Sequence, residues 1–313
     1  MRDLHAGSVP HPSGEQFTIC WEDQEATIVG VGGGLREYEA NGSRVLDGYP
    51  LGQMCPGARG QPLIPWPNRL RDGRYSFDGE HQLPLTEPDK QNSIHGLVRW
   101  SVWSPRLFEA HRLTMGYVLY PQPGYPFLLD LEIAYELSDE GLSVQLTAKN
   151  DGERAAPLGA GQHPYLLPPC DRLEDAVLQL PAGCWLTTDG RQIPTGTESV
   201  EGTPYDFRAG RAIGATRLDT AYTDLVREAD GRCSLLLVGG EHTVRLWLDE
   251  QFKYVMAFTG DSLPDPTARR RSLGVEPMSC PPNAFQTRED VVKLEPGGVW
   301  RAAWGIEVGS TMR

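Results

Sequence analysis

The strongest signal along the chain is an alternation of apolar and polar residues with a period of two. Leu129, Leu131, Ile133, Tyr135 and Leu137 alternate with Asp130, Glu132, Ala134 and Glu136. After Ser138-Asp139-Glu140-Gly141 the pattern resumes, with Leu142, Val144, Leu146 and Ala148 set against Ser143, Gln145, Thr147 and Lys149. Successive side chains of a strand point to opposite faces, so this is a β-hairpin with one buried face and one wet face. Asn41-Gly42 separates LREYEA from RVLDGY, and Asp78-Gly79 lies between Tyr75 and Phe77 on one side and Leu83 and Leu85 on the other. Both dipeptides tolerate positive φ and suit tight primed turns. The runs 176–180, 233–240, 243–250 and 253–260 are short, β-rich and bounded by turn residues, and VWRAAWGIEV (299–308) reads as a closing strand.

No segment carries the 3.6-residue period of a long amphipathic helix. Glycine (35) and proline (26) fall between the strand-like runs, as joining loops require. The pattern predicts an all-β fold, a large antiparallel β-sandwich. With no repeat, linker or low-complexity tract, residues 1–313 read as a single domain.

Composition narrows the partners. With 39% hydrophobic and 23% charged residues, the chain can build a sizeable core. Its net charge of −13 argues against nucleic acid and against an anionic membrane surface, and leaves a neutral small molecule as the easier partner. No run of about 18 apolar residues occurs, so no membrane-spanning helix is expected. The first sixteen residues, MRDLHAGSVPHPSGEQ, lack an apolar segment, so a signal peptide is not expected. Six scattered cysteines, none in a C-x-x-C pair, read as reduced thiols of a cytoplasmic protein.

Two motifs are set aside. Gly30-Val31-Gly32-Gly33-Gly34-Leu35 lacks the last glycine of a dinucleotide fingerprint and leads into a hairpin, so a bulge or close strand crossing is expected there. The seven histidines show no zinc-ligand spacing, and no metal or other cofactor is expected.

Chemically able residues gather in four Pro/Gly-rich stretches: PWPNRLRDGRY (65–75) with NSIHGLVRW (92–100), GAGQHPYLLP (159–168), RLDTAYTDL (217–225) and GVEPMSCPPNAF (274–285). Taken singly, each has a plain structural reading. His95 fits a hydrogen-bonded core histidine, and His163, held extended by the following proline, fits a loop histidine. Asp219 fits a turn cap, Glu276 a solvated loop acid and Arg69 a surface charge. Periodicity does not choose between these readings and chemical ones.

Taken together and in order, the motifs resemble the aldose 1-epimerase (galactose mutarotase) family over roughly residues 15–310. They are VLDGY (45–49), P-x-P-N-R-L (65–70), N-x-I-H-G (92–96), G-x-H-P-Y (161–165), L-D (218–219), V-E-P (275–277) and L-E-P-G-G (294–298). The resemblance implies a galactose mutarotase-like supersandwich that interconverts the anomers of a free hexose without a cofactor, as a monomer or homodimer. It implies that His163 protonates the ring oxygen, that Glu276 takes the proton of the anomeric hydroxyl, and that His95 assists. Arg69 and Asp219, with Asn68 in the same motif, are implied to hold sugar hydroxyls. Such chemistry needs one proton donor and one acceptor, each worth about 10²–10⁴-fold. Trp66 and Tyr165 fit either a sugar-stacking or an ordinary core role.

Two positions depart from the family. Met256 stands where galactose-acting members carry a glutamine, and Asn283 where an aspartate is common. PWPNR and HGLVRW look like a bacterial branch that includes mutarotases for modified sugars such as sulfoquinovose, in which Arg99 would meet an anionic group. An epimerase of a 6-phosphorylated or 6-sulfonated hexose and a non-catalytic sugar-binding module are therefore the alternatives.

Overall fold

A computed structural model describes residues 11–310. Every described strand pair is antiparallel, and two large sheets dominate. The larger has nine strands in the order Arg211–Ala212, Val177–Gln179, Cys233–Gly239, His242–Leu248, Val299–Ser310, Gly141–Asn150, Leu129–Ser138, Arg112–Leu119 and Ser104–Phe108. The smaller has six: Tyr165–Leu166, Leu273–Met278, Tyr254–Phe258, Asp219–Leu225, Ala182–Thr188 and Pro194–Ser199. A four-stranded sheet (Gln16–Trp21, Gln24–Val29, Leu35–Ala40 and Ser43–Arg44) precedes them. This is the large antiparallel β-sandwich that the alternation predicts. The α-helix among the described residues, Ala284–Thr287, has four residues, and no helix there is long and apolar enough to cross a membrane. The segment read as lacking a leader falls largely on residues 1–10, outside the described part.

The central hairpin pairs as its pattern requires, from Leu129 opposite Asn150 to Ser138 opposite Gly141. Leu129, Leu131, Ile133, Tyr135 and Leu137 are fully buried, each aliphatic contributing about 1.5–3 kcal/mol. They join Leu246 and Ile306 of the same sheet, and Tyr222, Val255, Ala257 and Val275 of the smaller one, in one apolar core.

Asn41 (φ +54°) and Gly42 (φ +70°) close a two-residue turn between Ala40 and Ser43. Of the following RVLDGY only Arg44 lies in a strand, Ser43–Arg44. Val45 and Leu46 instead plunge into the core, Leu46 bridges Leu166, and the Asp47 carboxylate is held by Arg59, Arg271 and Ser272. At Asp78-Gly79 the loop has three residues, because Ser76 pairs with Glu80. The glycine run makes the expected close crossing. A Cβ on Gly32 (φ +83°) would lie 2.7 Å from the Arg99 carbonyl, and one on Gly33 2.9 Å from Trp103.

One buried polar network ties the core to the loop that carries His163. Tyr135 Oη donates to the Gly33 carbonyl (2.7 Å), and Gln162 Nε2 donates to Tyr135 Oη (3.0 Å) and to the Gly60 carbonyl (3.1 Å). Gln162 Oε1 accepts from Trp304 Nε1 at 3.1 Å. Replacing Gln162 by Leu leaves the buried Trp304 N–H without a partner and takes from Tyr135 Oη its hydrogen-bond donor. Urea unfolding should show Gln162→Leu less stable by about 2–4 kcal/mol, whereas Gln162→Glu at low pH, where the acid is neutral, should lose less.

Candidate active site

Register brings the site residues of the smaller sheet to one face. Ala221, Met256 and Glu276 are direct cross-strand neighbours, as are Asp219, Phe258 and Gly274. The two rows are offset by two residues, so the five side chains they carry, Gly274 having none, point the same way. The intervening Tyr222, Val255, Ala257 and Val275 point into the main core. Leu186, Ala221, Tyr254, Met256 and Met278 form a second, smaller apolar cluster on the site face. The period of two thus sets Glu276 and Asp219 on the sheet face opposite the core.

His163 reaches that face from the sheet edge. Tyr165 pairs with Gly274, and Val275 N–H donates to the Pro164 carbonyl at 2.9 Å. His163 Nε2 thereby lies 3.1 Å from Glu276 Oε1, with both side chains buried. His95 arrives differently. Strand Asn92–Ile94 pairs with Arg69–Arg71, and the chain then passes through two left-handed residues, His95 (φ +64°) and Gly96 (φ +70°). A Cβ on Gly96 would lie 2.0 Å from the Ile64 carbonyl oxygen, so only glycine fits. A left-handed histidine is strained, and such strain concentrates at functional sites. His95 N–H donates to the Asn68 carbonyl (2.9 Å), and Asn68 N–H donates to His95 Nδ1 (3.2 Å). With Nδ1 accepting, the neutral ring carries its proton on Nε2 and is a donor.

The residues enclose a cavity of about 310 Å³, at the small end for ligand sites. Asn68, Arg69, His95, His163, Asp219 and Glu276, the whole set expected from the sequence, line it. A larger surface depression of about 730 Å³, bordered by turn residues such as Glu22, Asp139 and Glu140, gathers no histidine. Arg69 is held by a two-pronged contact with Glu87 (2.8 and 3.0 Å), and Asp219 Oδ2 accepts from Gln192 Nε2. Asn283 lies outside the cavity lining and accepts from Arg71 N–H at 3.0 Å. Trp66 is a core residue packed near Phe285, whereas Tyr165 lines the cavity and stacks on His163 at 4.8 Å with the rings 6° from parallel.

Sequence reasoning missed several residues. Arg59, itself buried against Asp47, caps the far face of Tyr165 with its guanidinium 4.4 Å from the ring centroid. Nothing in its Pro-Gly-rich segment marks it. Arg99, raised only for an anionic substrate, lines the cavity with its Nε buried and without a partner among the described residues. The exposed Trp100 lies beside it at the cavity rim, its ring 5.4 Å from the Arg99 guanidinium.

Burial sets the protonation of the pair. It pushes His163 well below the usual imidazole range, and nearby Arg99 and, more weakly, Arg59 push the same way. It pushes Glu276 well above the usual carboxyl range, with Asp219 adding to the rise and Arg69 and Arg99 opposing it. Burial, then Arg99, likewise keeps His95 neutral. Desolvation thus favours a neutral pair holding one proton, on the carboxyl. Glu276 Oε2 and His163 Nδ1 remain buried without partners.

Donor atoms of His95, His163 and Glu276 also lie within 4.8 Å of one another, which is metal-ligand spacing assembled from three distant segments. Arg99 and Arg69 place positive charge beside those donors, and the Asn68 N–H occupies His95 Nδ1. The donor set therefore suits proton transfer better than a cation.

An antiparallel supersandwich with a buried carboxyl–imidazole pair in a small cavity is the build of a carbohydrate epimerase. The chain belongs to the aldose 1-epimerase family, whose sequence profile matches residues 15–307. It is 34% identical over 298 residues to the Escherichia coli K12 protein designated "Uncharacterized protein YihR", covering 95% of this chain and 94% of that one. The aldose 1-epimerase of the same organism is 26% identical over 162 residues, 47% of this chain and 44% of the relative. Among solved structures, the GalM/aldose epimerase homologue from C. elegans superposes with a TM-score of 0.84 at 16% identity, covering 95% of this chain and 99% of that one. Galactose 1-epimerase from Lactobacillus acidophilus NCFM gives 0.77 at 21% identity, with 94% of each chain covered. These likenesses establish the galactose mutarotase-like fold.

The buried pair has a consequence for stability. A carboxyl whose pKa is raised by folding keeps a proton that the unfolded chain has lost, so stability falls as pH rises above the ordinary carboxyl range. Glu276→Gln removes that penalty. Thermal unfolding should show the variant's Tm gaining on the parent's between about pH 5 and pH 8. A gap that stays constant with pH would mean that Glu276 titrates normally in the fold.

Proposed function

We propose that the protein is an aldose 1-epimerase that interconverts the α and β anomers of a free hexose. The observation that carries this reading is the 3.1 Å contact between the buried side chains of His163 and Glu276, Nε2 to Oε1, at the wall of the cavity. The two oxygens on the anomeric carbon, the ring oxygen and the hydroxyl, are an adjacent acceptor and donor. A carboxyl and an imidazole this close can serve both at once.

The proton count balances within the pair. With the closed ring bound, the Glu276 proton passes to His163, leaving Glu276 as carboxylate facing the charges of Arg69 and Arg99. Glu276 then takes the proton of the anomeric hydroxyl as His163 gives its own to the ring oxygen. The bond between the anomeric carbon and the ring oxygen breaks, and the open-chain aldehyde forms. The pair is again neutral, the state that burial favours, so the site's electrostatics offset part of the cost of opening. Rotation about the C1–C2 bond presents the other carbonyl face. Reclosure returns the ring-hydroxyl proton to His163 while Glu276 protonates the new anomeric hydroxyl. His95, a neutral donor through Nε2, assists at the ring oxygen, and Asn68, Arg69 and Asp219 hold hydroxyls.

Polarimetry tests this reading. Freshly dissolved α-D-glucose or α-D-galactose should reach its final rotation faster with the protein. His163→Asn and Glu276→Gln should each lower kcat by about 10²–10⁴-fold. No acceleration with any hexose would leave a non-catalytic sugar binder.

Arg99 favours a second reading, in which the hexose carries an anionic group such as a 6-phosphate or 6-sulfonate. A buried guanidinium nitrogen without a partner is costly, and an anion entering the cavity would satisfy it. On that reading Arg99→Met should raise KM for the anionic sugar at least about tenfold and leave KM for glucose nearly unchanged.

A further inference from the structure

Arg69 and Asp219 are each held from behind, and the two supports meet. Arg69 Nε and a terminal nitrogen are gripped by Glu87. Asp219 Oδ2 accepts from Gln192 Nε2, at the tip between strands Ala182–Thr188 and Pro194–Ser199. Both lines end on Lys90. Its ammonium lies 3.4 Å from Glu87 Oε1 and also donates to Gln192 Oε1. Lys90 closes the short 3-10 turn Pro88–Lys90 and is not among the residues lining the cavity.

The backbone around this node is fixed independently of the lysine side chain. Arg191 donates to the Lys90 carbonyl (2.8 Å) and to Asp72 (2.8 Å). Asn92 Nδ2 donates to the Arg191 carbonyl (3.0 Å) and to Glu87 (3.1 Å). The hairpin tip therefore stays docked whatever occupies position 90, and the Lys90 ammonium is left with one task. It sets the rotamers of Glu87 and Gln192 against each other. Gln192 further lines a small recess with Asn68, Arg69, Asp219 and Met256, so its amide faces the same end of the site as the two sugar-holding groups.

We propose that Lys90 is a positioning residue that couples the two hydroxyl-recognition arms: it bridges Glu87 and Gln192, so that Arg69 and Asp219 face a bound hexose at a fixed separation. The inference rests on the cavity being a hexose site. It assigns affinity and selectivity among hexose epimers to a charge outside the cavity. Proton transfer by His163 and Glu276 does not depend on it.

The test compares Lys90→Met and Lys90→Arg with the parent chain, by polarimetry on α-D-glucose and α-D-galactose. Lys90→Met should raise KM about five- to twentyfold with kcat within about twofold, because binding is lost equally from ground and transition states. Lys90→Arg, which keeps a cation able to bridge both acceptors, should recover most of the loss. In an Asp219→Asn background the Lys90→Met effect should shrink, since one arm is already disabled. An unchanged KM in Lys90→Met, or kcat falling in parallel without rescue by arginine, would overturn the proposal while the parent's activity upheld the hexose reading. A parent chain that accelerates no hexose would overturn both.

Discussion

The interaction on which the site depends is the 3.1 Å contact between His163 Nε2 and Glu276 Oε1, made where both side chains are buried. In water, a carboxylate and an imidazolium this close would be an ordinary weak ion pair. In the cavity the charged forms of both are penalised, so the proton rests on the carboxyl and the imidazole is neutral. Much of the surrounding structure maintains that condition. The smaller sheet buries Glu276 in a strand, Leu273–Met278, with no exposed position. Tyr165 and Arg59 stack behind the imidazole, and Arg99 adds a charge that keeps it from holding a proton at rest.

The site is held on two sides by different means. Around Glu276 the constraint is β-sheet register, which places Glu276, Met256 and Asp219 on one face with little freedom. Around Arg69 it is a web of polar contacts between the segment following Arg69–Arg71 and the hairpin tip at 189–193. Arg71 with Asp189, Arg191 with Asp72, and Lys90 with Glu87 all span the two segments or brace them. Sheet register resists change in sequence, whereas partly exposed charges tolerate it.

The sandwich was legible because a half-buried strand writes its geometry into a period of two, as at Leu129–Leu137 and Leu142–Ala148. RVLDGY was misread because burial of Val45 and Leu46 comes from chain crossing, which leaves the same apolar mark as a strand. No local pattern joins His163 to Glu276. They were identified through a resemblance spread over the chain, and the fold accounts for their meeting by pairing Tyr165 with Gly274. Asn283 illustrates the limit of that route, since its amide caps the Arg71 N–H and does not line the cavity. Arg59, Gln192 and Lys90 left no trace in sequence, because each acts through a partner brought near only by folding.

The protonation of the resting pair is the central claim, and nitrogen NMR of histidine-labelled protein tests it most directly, with His163→Asn assigning the signal. The account predicts that the free protein shows a neutral His163 ring at about pH 5 as well as at about pH 7, where an ordinary imidazole would already be charged at the lower value. An imidazolium signal from His163 across that range would contradict it and would make the resting pair an ion pair.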